Sequence, residues 1–217
     1  MKLVAAALAA TLLLSAAAVA AEPAPPLTRE QALERLARGD VESRRQAAGW
    51  LGEQGIMADV PGLVQALRDR DEVVRGLAES ALWQVWSRSG DAEVDALFAL
   101  GVDQMSQRAP RAAIETFTRI IEKKPDFAEG WNKRATIYYL IGEYEKSLKD
   151  CDEVMTRNPS HFGALAGYGQ IYLQLGKPER ALEYFQRALD VNPNMEQVEA
   201  AVEQLKALVI QKRRGTI

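Results

Sequence analysis

Histidine and cysteine, which often serve as nucleophiles, general bases and metal ligands, occur once each in this chain, as His161 and Cys151. A nucleophilic site would need the imidazole beside a Ser or Cys and an orienting acid. A zinc site would need further His or Cys ligands at short spacing. Because the sequence offers neither pattern, we expect no catalytic site, no metal site and no cofactor.

The other candidates for chemistry have simpler interpretations. Cys151 falls at an apolar position, where a thiol acts as a small core residue, and one cysteine has no partner for an intramolecular disulfide. Acidic pairs such as Asp150 with Asp152, or Glu143 with Glu145, are typical of a solvated helix surface. No Gly-rich phosphate loop is present, and a net charge of −3 does not favour nucleic acid. Function is therefore expected to reside in a binding surface.

A fixed repeat organises the second half of the chain. Pro125, Pro159 and Pro193 lie 34 residues apart, and each closes a stretch of helix-forming sequence. The pattern predicts two amphipathic helices per unit, in units spanning 94–127, 128–161 and 162–195. Gly142 and Gly176 mark the turns between the paired helices. One helical pair cannot bury its apolar face alone, so neighbouring pairs are expected to stack around a continuous core.

Equivalent positions of the three units hold similar residues. In unit order they are Leu97, Trp131 and Leu165; Gly101, Ala135 and Gly169; Gln104, Tyr138 and Tyr172; Ala113, Ser147 and Ala181; Phe117, Cys151 and Phe185; and Ile120, Val154 and Ala188. This pattern resembles the tetratricopeptide repeat (TPR). The resemblance implies an all-α fold, a right-handed α-solenoid of helical hairpins whose first helices line a concave groove.

Two positions depart from the TPR pattern. Arg134 stands where the family usually has Leu, and a buried cation needs a partner. We expect a salt bridge to one of four acids, Glu115, Glu122, Asp150 or Asp152; the alternative is a contact with a ligand. The first unit lacks the turn glycine and has Arg108, Ala109 and Pro110 there instead.

A shorter period lies upstream of the TPR units. Arg44, Ala47 and Leu51 recur 31 residues later as Arg75, Ala78 and Leu82. This resembles two HEAT repeats over residues 28–90, and the whole is expected to form one elongated solenoid. Trp83 and Trp86 are expected to seal the junction between this pair and the first TPR helix, with an exposed aromatic patch as the alternative. Residues 195–217 are expected to form a capping helix and a basic tail.

The resemblance to TPR proteins also indicates which residues face the groove. The variant of the family that clamps a C-terminal carboxylate uses Lys, Asn and Arg at five positions, which here hold Phe98, Val102, Lys133, Gly163 and Ala166. Recognition of that kind is therefore not expected. The remaining trough is mostly neutral and suits an apolar or mixed protein segment. Its expected binding residues are Phe98, Val102, Met105, Asn132, Thr136, Tyr139, Ala166, Gln170 and Leu173.

The N-terminus indicates export. Lys2 precedes an apolar and small-residue run, and the segment 18–20 fits a small-x-small cleavage site. We interpret residues 1–21 as a signal peptide cleaved near Ala20 or Ala21, and 22–27 as a Pro-rich linker. An uncleaved membrane anchor is the alternative, but the run is short and alanine-rich for a bilayer span. The chain resembles exported bacterial TPR proteins, and a periplasmic location without stable membrane insertion is expected.

Taken together, these features predict a non-catalytic periplasmic scaffold or adaptor that binds a protein or peptide segment in its concave groove. Cell-envelope assembly is the expected setting. The alternative function is a regulatory subunit or specificity factor of an envelope enzyme, such as a peptidoglycan hydrolase. The partner's identity and the oligomeric state are left open.

Overall fold

A computed structural model describes residues 27–213 and Gly215. The predicted signal peptide and all of the linker except Leu27 lie outside these residues, as do the side chains of 212–214. The described part is all-α, which confirms the predicted fold class. Its helices are α1 (Arg29–Arg38), α2 (Val41–Gln54), α3 (Val60–Ala66), α4 (Glu72–Trp86), α5 (Ala92–Ser106), α6 (Pro110–Lys123), α7 (Ala128–Leu140), α8 (Tyr144–Arg157), α9 (Phe162–Gln174), α10 (Pro178–Val191) and α11 (Glu196–Arg213).

Side-chain caps and prolines define where the helices begin. Asp40, Asp71 and Asp91 each accept hydrogen bonds from backbone N–H groups in the first turn of α2, α4 and α5. Such caps satisfy donors that have no partner within the helix. Pro110 and Pro178 instead occupy the first position of α6 and α10, where a missing N–H costs nothing. None of the described helices is both long and apolar enough to cross a membrane.

The turn inside each TPR hairpin places one residue in the left-handed region. Gly142 and Gly176 have φ of 81° and 66°, and Arg108, at the equivalent position of the first unit, has φ of 57°. The first hairpin therefore adopts the same turn without its glycine. A residue with a Cβ pays about 1 kcal/mol or more for this conformation.

The two helices of each hairpin approach closely where a small residue faces a larger one. A Cβ added to Gly101 would lie 2.6 Å from the ring of Phe117, and one added to Gly169 would lie 2.4 Å from the ring of Phe185. In the second unit the same positions hold Ala135 and Cys151, which share one buried cluster. The methyl group of Ala135 fits because Cys151, on the facing helix, is smaller than the phenylalanines of the other two units.

The N-terminal module, residues 27–88, consists of two helical pairs that do not simply continue the TPR stack. Arg68 donates hydrogen bonds to the carbonyl oxygens of Asp190 and Val191. The Arg75 Nε donates to Asn194 Oδ1 at 3.0 Å, and the Asn194 amide donates to the carbonyl of Leu67 at 2.8 Å. The module thus lies against the loop between α10 and α11, which corrects the expectation of an elongated array.

Helix α11 covers the C-terminal end of the TPR units. Val198, Val202 and Leu205 are buried and share a cluster with residues of α9 and α10. In the basic tail, Lys206 pairs with Glu203 on the surface of the same helix.

Candidate functional site

The first helices of the second and third TPR units, α7 and α9, enclose a narrow trough. Its volume is about 130 Å³, and Asn132, Thr136, Tyr139 and Gln170 line it together. These are four of the nine predicted groove residues. They meet because positions of one face recur three to four residues apart along a helix, and α7 and α9 belong to consecutive stacked units.

Gly167 keeps this trough open on the α9 side. Gly163 and Gly167 both line it. A Cβ added to Gly167 would meet only the Cys151 Sγ, at 4.0 Å, so the space above this residue is free. The backbone of α9 is thereby accessible to anything that enters the trough.

The floor of the trough is apolar and chemically inert. Cys151 is buried beside Ala135 and Ile171, which confirms its prediction as a core residue. Burial raises the pKa of the Cys151 thiol to about 12, so the thiol stays protonated and unreactive at neutral pH. The Ser147 hydroxyl, also at the floor, donates to the carbonyl of Ala135 at 2.7 Å.

Several polar groups that line the trough have no hydrogen-bond partner among the described residues. The Tyr139 hydroxyl and the Gln170 amide make no hydrogen bond to any described residue, and neither does Asn132 Oδ1. Thr136 donates its hydroxyl hydrogen to the Asn132 carbonyl at 2.9 Å, which leaves its lone pairs free. The trough can therefore offer both donors and acceptors to a ligand.

A buried ionic cluster supports one end of the trough. Glu129 has no exposed surface, and it accepts hydrogen bonds from Asn132 at 3.1 Å, from Lys133 at 2.9 Å and from His161 Nε2 at 2.8 Å. The His161 Nδ1 accepts the N–H of Ala164 at 3.1 Å. His161 is therefore the N-cap of α9.

This cluster fixes the ionisation of Glu129. Burial opposes the charge on Glu129, but the hydrogen bonds that His161 and Lys133 donate and the charge of Lys133 outweigh this effect and lower the pKa of Glu129 to about 2. Both nitrogens of His161 are engaged and its side chain is fully buried. The imidazole thus acts as a fixed connector between α7 and α9, and it faces no site where a substrate could bind.

Two tryptophans of α4 close over this cluster. The Trp86 ring stacks on His161 with centroids 4.4 Å apart, and Trp83 packs edge-on against His161 at 5.5 Å and Phe162 at 5.3 Å. A Cβ on Gly163 would lie 2.5 Å from Trp83. The tryptophans were expected to seal a junction with the first TPR helix, and this was wrong: they pack on the start of α9, in the third unit.

The remaining predicted groove residues do not join the trough. Phe98 is only 9% exposed and packs between Phe117 and Phe127, at 5.9 and 5.5 Å. It is a core residue, which corrects its expected role as an apolar anchor. Met105 lines a separate apolar cavity of about 300 Å³ with Ile137 and Leu140.

Three further predicted residues lie outside the trough on the surfaces of α5 and α9. Val102 is 40% exposed and Leu173 is 36% exposed, so both remain accessible. Ala166 is half-buried and packs against the cluster that joins α9, α10 and α11. The continuous groove expected over all three units is therefore confined to the second and third.

Arg134, which stands where the TPR pattern usually has Leu, forms a salt bridge, as predicted. The Arg134 guanidinium forms a two-pronged pair with Asp150, with both N–O distances at 2.8 Å, and it also donates to the Thr118 hydroxyl at 3.0 Å. Asp150 is consequently buried, not solvated as the sequence suggested. Asp152 faces the other side and accepts from the Tyr168 hydroxyl.

The described residues form no cluster suited to a metal ion. Within residues 27–213, no three His, Cys, Asp or Glu side chains converge closely enough to hold one. The pairing of Glu129 with Lys133 and His161 was not apparent from the sequence. Glu129 and His161 lie 32 residues apart, close to the repeat period of 34. That spacing was the one available signal for a link between consecutive units.

Comparison with known proteins supports the repeat assignment. The tetratricopeptide repeat family model matches residues 126–194, which hold the second and third units. A TPR repeat-containing protein of Rhizobium etli is 33% identical over 129 residues, which cover 59% of this chain and 63% of the relative. The chain thus spans less than two thirds of that relative's length.

Solved structures share the fold. MamA superimposes with a TM-score of 0.51 at 15% identity, over 82% of this chain and 86% of MamA. The first TPR of Spaghetti (RPAP3), solved with the HSP90 peptide SRMEEVD, gives a TM-score of 0.53 at 21% identity, over 55% of this chain and 96% of that structure. The matched family model and the shared helical hairpins show that residues 126–194 of this chain carry tetratricopeptide repeats, within a fold common to these solved structures.

Proposed function

We propose that this protein is a non-catalytic adaptor that binds an extended segment of a partner protein in the trough between α7 and α9. The observation that carries the proposal is the convergence of Asn132 Oδ1, the Tyr139 hydroxyl and the Gln170 amide on one open trough, where none of them has a partner among the described residues. The Gln170 amide offers a donor and an acceptor together and Asn132 Oδ1 adds an acceptor, which matches the N–H and C=O groups of a peptide backbone.

The size of the trough favours a peptide over a small molecule. At about 130 Å³ it is smaller than the clefts that enclose drug-sized ligands. A peptide chain needs only a furrow that contacts its backbone and a few side chains. The accessible backbone at Gly167 provides such a furrow, and the apolar floor at Ile171 suits a small apolar side chain of the partner. A solved TPR structure with 21% identity holds a peptide, which agrees with this class of ligand.

Filling the trough tests the proposal. The Cβ of Gly167→Leu meets only the Cys151 Sγ, at 4.0 Å, and the substitution replaces a helical glycine, so we expect the fold to be retained. The matched control is Gly49→Leu, on α2, where a Cβ meets nothing within 4 Å. Affinity purification from the native host should recover the partner with the wild type and the Gly49 variant, but not with the Gly167 variant. Equal recovery by all three proteins would contradict the proposal.

We further infer that the protein acts in the bacterial periplasm, in cell-envelope assembly. The support is the sequence of residues 1–21, with a single Lys, an apolar run and a small-residue cleavage site. Mass spectrometry of the N-terminus from a periplasmic fraction should find a chain that starts at Ala21 or Glu22. Recovery of a chain that retains residues 1–21 from the membrane fraction would favour the uncleaved anchor.

A further inference from the structure

The N-terminal module contains a second cleft with a different chemical character. It has a volume of about 460 Å³ and lies between the end of α1, the start of α2 and the end of α3. Leu33, Leu36 and Ala66 contribute apolar surface to it, with Ala37 at its edge. This volume falls within the range of ligand-binding clefts.

Arginines surround this apolar surface. Arg38, Arg44, Arg68 and Arg70 line the cleft, together with a single acid, Asp69. Asp69 is held in a two-pronged pair by Arg44, at 2.7 and 2.9 Å. That pair cancels one positive charge and leaves three.

The three other arginines keep their charge. Arg38 and Arg70 are exposed, and their side chains make no hydrogen bond or ion pair with any described residue. Arg68 donates to the main-chain carbonyls of Asp190 and Val191, which carry no formal charge. The nearby Asp40, which accepts from Ser43 at 2.8 Å as the N-cap of α2, does not line the cleft. The cleft is therefore a cationic concavity with an apolar floor.

From this arrangement we propose that the cleft binds an acidic peptide segment of a partner protein, with carboxylates on the arginines and an apolar side chain on the floor. Guanidinium groups recognise carboxylates through paired hydrogen bonds. An anionic membrane is less suited, because the basic groups rim a concave cleft and the whole chain carries a net charge of −3. The cleft belongs to a different module from the α7–α9 trough, so this proposal stands independently of the proposed function.

Direct binding tests the cleft. The probe is a fluorescein-labelled synthetic peptide of alternating Glu and Leu, titrated with the full chain and followed by anisotropy. Arg38→Glu combined with Arg70→Glu should weaken binding by about tenfold or more. The matched control, Arg111→Glu with Arg119→Glu on the exposed face of α6, makes the same change in net charge and should leave affinity within about twofold. Circular dichroism and thermal unfolding report whether each variant is folded.

A neutral variant separates shape from charge. Ala37→Phe places a ring at the edge of the cleft without altering the arginines, and it should also weaken peptide binding by about tenfold. Three results would overturn the proposal: no binding of the peptide by the wild type, equal weakening by the α6 control, or binding to phosphatidylglycerol vesicles that the peptide fails to displace. The last result would assign the arginines to a membrane surface instead.

Discussion

Trp86 of α4 stacks on His161 at the start of α9, with ring centroids 4.4 Å apart and 21° between the planes. The contact joins residues 75 positions apart in the chain, and it places the N-terminal module beside the second and third TPR units. Glu129 ties the same imidazole to α7. His161 thus links α4, α7 and α9, and these contacts form one end of the proposed binding trough.

Two glycines of α9 provide a test of how the modules pack. Gly163→Ala should destabilise the protein by about 1–3 kcal/mol, because its methyl group meets a Trp83 ring that is held by His161 and Phe162. Gly167→Ala should stabilise it by about 1 kcal/mol, since that site is open and alanine favours a helix. Urea unfolding of both variants measures the difference. If both substitutions stabilise the protein equally, the N-terminal module does not pack on α9 in solution.

The Glu129 cluster predicts a defined loss of stability in acid. The folded pKa of about 2 lies below the ordinary value of 4.5. Stability from this group is therefore fully present above about pH 4.5 and is lost as pH falls towards 2. Glu129→Gln should cost about 3 kcal/mol at neutral pH and remove this part of the acid dependence. Chemical unfolding measured across this pH range checks both effects.

The control for this experiment is an exposed ion pair. Glu93 contacts Lys123 at 2.9 Å, but both side chains are well exposed to solvent. Glu93→Gln should change stability by well under 1 kcal/mol. A Glu129 variant that behaves like the Glu93 variant would show that the buried cluster does not hold α7 and α9 together.

The left-handed turn of the first hairpin predicts a stabilising substitution. Arg108→Gly should raise the free energy of unfolding by about 1 kcal/mol, because glycine adopts a φ of 57° without a Cβ clash. Gly142→Ala and Gly176→Ala, at the equivalent positions, should lower it by a similar amount. Melting temperatures from calorimetry give the comparison. A loss of stability on Arg108→Gly would mean that the arginine side chain contributes more than the turn costs.

The paired small and large residues predict coupling between two positions. Cys151→Phe alone should destabilise the second unit by about 1–3 kcal/mol, because Ala135 leaves no room for a ring. Adding Ala135→Gly recreates the pair seen at Gly169 and Phe185 and should recover most of the loss. Unfolding free energies of the two single variants and the double variant measure the coupling. Strict additivity would contradict this explanation of how the hairpins fit together.

Much of the fold could be predicted from local sequence signals. The 34-residue period predicted the helical pairs. The salt bridge of Arg134 and the burial of Cys151 were also predicted, because each depends on residues of the same or the adjacent helix. The site was predicted less well. Repeat register places Phe98 at a groove position, but the adjacent Phe117 and Phe127 draw its ring into the core.

The position of the N-terminal module could not be predicted for a different reason. It depends on hydrogen bonds such as Arg68 to Val191 and Asn194 to Leu67, which join residues more than 120 positions apart. Such contacts follow no period, and either partner alone looks like an ordinary surface residue. The basic cleft likewise combines arginines from α1, α2 and the loop after α3, which only the folded module brings together.

The proposed function requires that the trough between α7 and α9 receive a segment of another protein. Site-specific photocrosslinking from position 136, inside the trough, tests it most directly, with position 149 on the exposed surface of α8 as the control. Mass spectrometry then identifies the crosslinked peptide. We predict one partner segment captured from 136, absent from 149 and lost when Gly167→Leu fills the trough. Equal capture from both positions, or crosslinks that persist in the Gly167 variant, would contradict the account.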